Sequence, residues 1–125
     1  MKFNLLILIL LLSSCTTNYT KIDNRKPYYA KGFAYIYNIK DYENKLIKVK
    51  LDNNLLQISH SNLKLGAMVK LINPTTKEQL TIKNTKKINY PDFYKILITR
   101  KVADELNIDD QLPLVEVLEM RKNKS

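Results

Sequence analysis

The sequence predicts a small, mainly β domain: a β-barrel of short strands with one inserted helix. Three observations point there. Several short apolar runs are bounded by turn-forming residues, one of them alternates in period two, and a single stretch carries apolar residues at helical spacing. A bundle would need that helical spacing in several long stretches. At 125 residues, less an N-terminal leader, the chain has material for one domain with a modest core.

Each element follows in order. Tyr28-Tyr29-Ala30 leads into Gly32 to Tyr37, an aromatic-rich run between a glycine and a polar turn, which reads as the first strand. From Lys45 to Leu51, Ile47, Val49 and Leu51 take one face and Lys48 and Lys50 the other, the mark of a half-buried strand. Asp52-Asn53-Asn54 supplies a turn, and Leu55 to Ile58 is a short apolar strand ending at His60. Two runs, Ala67 to Ile72 and Gln79 to Asn84, are joined by an Asn73-Pro74 turn into a hairpin with Val69, Leu71, Leu80 and Ile82 inward. Thr85 to Phe93 is a loop by composition, and Lys95 to Ile98 is a further apolar strand. Thr99 is placed to cap a helix from Arg100 to Leu106, on which Val102, Ala103 and Leu106 share a face. A final strand from Leu114 to Glu119 follows Pro113.

Upstream, Lys2 precedes an eight-residue apolar run, Leu5 to Leu12. That is the length of a signal-peptide core and short of the roughly 20 residues that span a bilayer. Leu12-Ser13-Ser14-Cys15 resembles a bacterial lipoprotein box, in which the thiol takes a diacylglycerol and becomes the new N-terminus. The plainer alternative is a secretory leader that happens to be followed by a cysteine. Two or three acyl chains hold a protein on a membrane where one does not. Thr16 after the cysteine, with no aspartate there, resembles the sorting signal for the outer membrane, facing the periplasm. Residues 16–26 are polar and aperiodic, a tether that reaches on the order of 35–40 Å when extended. The expected organisation is a signal peptide over 1–14, a lipidated cysteine and tether over 15–29, a barrel over 30–120 and a basic tail over 121–125.

The formal net charge is +9, which favours anionic partners: nucleic acid, acidic glycans or phospholipid headgroups. The excess is partly a matter of composition, since the chain is saturated with Lys, Asn and Ile. Export to the envelope removes nucleic acid from the expected partners. The single cysteine excludes an internal disulfide and a multi-cysteine metal site, and with one histidine neither a metal nor another cofactor is expected.

A family resemblance enters with Ser59-His60-Ser61-Asn62-Leu63-Lys64-Leu65-Gly66-Ala67. It resembles the Ala-His-x-x-Leu-Pro-x-Gly-Thr segment of the rare lipoprotein A-like septal-ring lytic transglycosylases. Val69 to Asn84 is similar to that family's strand, Asn turn and second strand; Ile96 to Ile108 resembles its following strand and helix, and Pro113 to Leu118 its closing strand. The likeness runs from about Gly32 to Leu118. It implies a six-stranded double-psi β-barrel that acts on peptidoglycan glycan strands stripped of stem peptides. The repeat domain that longer family members carry is not expected here, and wall recognition is expected from the barrel itself.

The family's chemistry is attributed to a histidine, matched by His60, and to an aspartate in an Asn-Asp-Arg-Gly-Pro motif. Here that motif reads Asn84-Thr85-Lys86-Lys87-Ile88. Threonine neither donates nor takes a proton near neutral pH, so Thr85 does not replace a raised-pKa carboxyl group. Three readings remain open. The barrel binds glycan strands or an envelope or division partner without cleaving anything; or it is a divergent transglycosylase using Asp92, as a relocated acid, or a Glu near the cleft together with His60; or it is a structural lipoprotein that docks on another envelope protein through its basic face. His60 is either a histidine kept for a hydrogen bond at a barrel rim or a residue for glycan contact or proton transfer. Asp92 is a turn residue or that acid. Lys83, Lys86 and Lys87 are a solvated edge or, with Asn84, the lining of a groove. Tyr35, Tyr37, Tyr90 and Tyr94 are packing residues or faces for sugar stacking.

Overall fold

The computed structural model describes residues 26–120. The expected leader and lipidated Cys15, most of the expected tether and the expected 121–125 tail lie outside them. The first element is also the longest: β1, Tyr29–Ile36, pairs antiparallel with β6, Leu114–Met120, and parallel with β5, Ile96–Ile98. On β5's other side lies β2, Ile58–Ser59, antiparallel to it. β6 pairs next with β3, Met68–Ile72, which forms a hairpin with β4, Gln79–Lys83. The order is therefore β2-β5-β1-β6-β3-β4 in one six-stranded sheet.

The sheet curls until its ends nearly meet. Just past β4, Lys86 makes a parallel bridge to Ser59 of β2. The buried Ser59 hydroxyl ties this junction, donating to the Lys86 carbonyl and accepting from the Ile88 amide, each at 2.9 Å. Ser59→Ala would leave both backbone groups short of a partner in a dry place. We expect it to cost about 1–2 kcal/mol in chemical denaturation. A loss near zero would mean that the barrel closes without this hydroxyl.

Alternation explains the interior. Val69 and Leu71 of β3, Val115 and Val117 of β6, Ala34 of β1 and Ile96 and Ile98 of β5 point inward and are fully buried. Helix α2, Arg100–Glu105, lays Val102 and Ala103 against them, with Leu106 just after it. On the opposite face of β5, Leu97 is equally buried, against Tyr37, Ile47, Leu51 and Ile88. The run Ile96-Leu97-Ile98 is thus apolar throughout because β5 is covered on both sides, as parallel-paired strands usually are.

That second cover corrects the strand expected from Lys45 to Leu51, which does not form. Ile47 and Leu51 are buried as plugs over Leu97, while Val49 is 38% exposed. The backbone turns at Lys45, whose φ is 65°, and the amides of Leu46 and Ile47 both donate to the Asp41 carbonyl. The strand expected from Leu55 to Ile58 shortens to Ile58–Ser59, with Leu55 and Leu56 largely in solvent.

Two short helices replace the single one expected. The added one, α1, Ile39–Glu43, is capped by Asn38, whose Oδ1 accepts from the Lys40 amide at 2.8 Å. It buries no residue, so it leaves no apolar period in the sequence. At α2 the cap also differs from expectation. The Thr99 hydroxyl donates to the Leu55 carbonyl at 2.6 Å, and Asn53 Oδ1 accepts from the Arg100 amide at 2.7 Å.

Candidate functional site

The barrel end beside β2 is shaped by one buried side chain, Asn84. Its Oδ1 accepts from the His60 amide at 2.9 Å, and its Nδ2 lies 3.2–3.3 Å from the carbonyls of His60, Leu63 and Lys64. Its backbone is equally engaged, accepting from the Gly66 amide and donating to the Ala67 carbonyl. Gly66 turns this loop at φ 92°, a left-handed conformation that suits glycine. So the 60–67 loop is wrapped around Asn84. The residue expected to line a groove instead holds the wall from within.

His60 is seated by this wrapping. It is 1% exposed, its ring meets Tyr28 edge to face at 4.6 Å, and its Nδ1 accepts from the Asn62 amide at 3.1 Å. That bond puts the proton of the neutral ring on Nε2. Nε2 itself is buried and has no hydrogen-bond partner among the described residues. Burial lowers the imidazole pKa from 6.5 to about 4; the Glu119 carboxylate pulls it upward and the Lys87 ammonium presses it further down. At neutral pH the ring is uncharged.

Around His60 opens a pocket of about 330 Å³ lined by Tyr28, Ser61, Asn62, Tyr90, Asp92, Tyr94 and Lys95. Asp92 thus comes to the same hollow as His60, carried there by the 85–95 loop. The Tyr90 hydroxyl accepts from the Ser61 amide at 3.2 Å, tying that loop to the one bearing His60. Lys95 enters over Gly32, where an added Cβ would come within 2.8 Å of the lysine Cγ. Glycine at position 32 is therefore what lets the lysine stem cross the strand.

Other residues singled out from the sequence sit elsewhere. Lys83 is exposed at the end of β4, and Lys86 meets Ser59 through its backbone; neither lysine lines the His60 pocket. Lys87 is exposed, within electrostatic reach of His60, and Thr85 is exposed and does not line the pocket. Tyr35 stands one ring away, edge to face with Tyr94 at 4.9 Å. Its hydroxyl donates to Asp41 Oδ2 at 2.8 Å, and burial together with that carboxylate pushes its pKa up to about 12. Tyr37 is buried in the outer core.

Three participants were missed. Tyr28 falls within the expected tether, yet its amide donates to Glu119 Oε1 at 2.9 Å and its carbonyl accepts from the Glu119 amide, so the barrel's pairing already holds there. Glu119 and Lys95 lie at strand ends among many other charged residues, with no local pattern to separate them. The one available signal was Gly32 itself, one of only two glycines.

A larger hollow, about 620 Å³, lies over the chain excursion between β1 and β2, lined by Tyr37, Ile39, Lys50, Leu51, Asp52, Asn53 and Gln57. It holds no histidine, and its Asn53 is spent on the Tyr37 carbonyl and the Arg100 amide. The His60 pocket is the better candidate. No family model matches the chain, and a search of curated proteins finds no match.

Proposed function

We propose that this chain is a lipid-anchored protein of the bacterial envelope, similar to the rare lipoprotein A-like family and its double-psi barrel, that binds peptidoglycan glycan strands without cleaving them. The observation that carries the reading is the composition of the His60 pocket. Three tyrosines offer ring faces and edges, Asp92 and Lys95 offer charged hydrogen-bonding groups, and a neutral buried histidine forms part of the wall. Sugars are bound by this mixture, with C–H faces against aromatic rings and hydroxyls on polar groups. The anchor at Cys15 and the outer-membrane location rest on the lipobox-like stretch in the sequence.

The same geometry argues against transglycosylation. That reaction needs a proton donor for the glycosidic oxygen and then a base for the sugar hydroxyl that closes the anhydro ring. His60 is neutral, and its unpaired nitrogen is sealed from the pocket's solvent. Thr85, at the family's acid position, carries no carboxyl group.

Incubating the full chain in mild detergent with purified peptide-free glycan strands tests this. We expect the protein to co-sediment with the strands and mass spectrometry to find no 1,6-anhydro ends. The placement of Asp92 in the pocket favours one alternative, a divergent transglycosylase with that carboxyl as the acid. Anhydro-ended products that vanish in Asp92→Asn would establish it and overturn the binding-only reading.

A further inference from the structure

The aromatic lining of the pocket continues outside it. Tyr94, on the pocket wall, meets Phe93 at 5.2 Å with planes at 88°, and Phe93 stacks on Phe33 at 5.3 Å and 18°. Tyr35 closes the cluster against Tyr94. Phe93 stays 63% exposed despite these contacts, the most exposed aromatic ring among the large apolar residues of the described chain. These two contacts fix the ring's position without burying it. A phenylalanine in a polar loop, after Pro91 and Asp92, gains little from one stacked neighbour and leaves most of its apolar surface in water.

We propose that Phe93, backed by Phe33, is a second sugar subsite, over which a glycan strand seated in the His60 pocket runs out past Tyr94. The inference rests on the glycan-binding reading of that pocket. The occupant is the continuing strand because the rings form an unbroken series from the pocket wall to the surface, so a polymer leaving the pocket along Tyr94 meets Phe93 next. The Phe33 ring beneath fixes the upper ring's tilt, so stacking demands little further ordering of the protein. The site then prefers long strands to short ones.

Binding of the full chain in detergent to a defined glycan disaccharide and to an octasaccharide of the same repeat, by isothermal titration calorimetry, tests it. Wild type should bind the octasaccharide more tightly. Phe93→Ala should lose about fivefold to tenfold in octasaccharide affinity, with the disaccharide unchanged. Phe93→Trp, which keeps a stacking face, should restore the preference. Equal losses for both ligands, or none for either, would overturn the second subsite while leaving the pocket reading intact. Failure of wild type to bind either saccharide would overturn both. Because Phe93 is largely exposed, the alanine variant should melt with wild type, and a matching melting curve is the control on folding.

Discussion

Asn84→Asp should lower the folding free energy by about 3–5 kcal/mol in urea denaturation at pH 7, although the two side chains are nearly the same size. The native amide is fully buried and polarised in one sense: its oxygen faces an N–H donor and its nitrogen faces three carbonyl oxygens. An aspartate keeps the bond from the His60 amide. Its second oxygen, however, would confront the carbonyls of His60, Leu63 and Lys64. Either a charge stays buried against three partial negative charges, or the carboxyl takes up a proton at neutral pH, and both are costly.

Asn84→Ala should cost somewhat less, about 2–4 kcal/mol: it leaves the His60 amide as well as the three carbonyls without this partner, but it adds no charge. The aspartate variant should also recover part of its loss as the pH falls and the carboxyl is protonated, which alanine cannot do. If both variants lost less than about 1 kcal/mol, the 60–67 loop would have to be held by something other than this side chain. The consequence for function is direct, since the loop so held carries His60, Ser61 and Asn62 of the pocket.

The regular elements and the site residues differ in how far the sequence discloses them. Strands β3, β4 and β6 and helix α2 were legible because their apolar residues recur at the period of the element, and burial follows that period; β5 was legible as a short continuous apolar run, buried on both faces. The excursion from Asn38 to Gln57 was not. Ile47 and Leu51 are anchored singly, so an alternating pattern that reads as a strand is a coincidence of two plugs and one exposed valine. The site was legible where one residue type is scarce, as with His60, and illegible where it is common. Among 21 lysines and arginines nothing local marks Lys95 as the one whose stem crosses a glycine. Asn84 was noticed, but for the wrong face: a sequence shows that an amide is present, and only the fold shows that all its bonds are used internally.

Acid should destabilise this protein earlier than its carboxylates alone would dictate, because of His60. In the unfolded chain the imidazole titrates near 6.5, whereas in the folded protein burial holds it at about 4. Above pH 6.5 both states carry a neutral ring and this group makes stability independent of pH. Between 6.5 and 4 the unfolded chain binds a proton that the folded one refuses, so stability falls by up to about 1.4 kcal/mol per pH unit. From pH 7.5 to 5.0 the loss should be about 2 kcal/mol, levelling near 3 kcal/mol below pH 4. Glu119 opposes the shift and Lys87 adds to it, so both charges are already contained in the depressed value. Urea midpoints of wild type and His60→Gln across pH 5–8 isolate the effect, since the neutral amide of glutamine cannot titrate and carboxylate contributions are common to both. The wild-type curve should bend downward below 6.5 while the variant's stays nearly flat to about pH 5. Parallel curves would mean that the folded imidazole accepts a proton near its ordinary pKa. His60 would then be free to work as an acid or base, and the case for a barrel that binds glycan without cutting it would lose its main support.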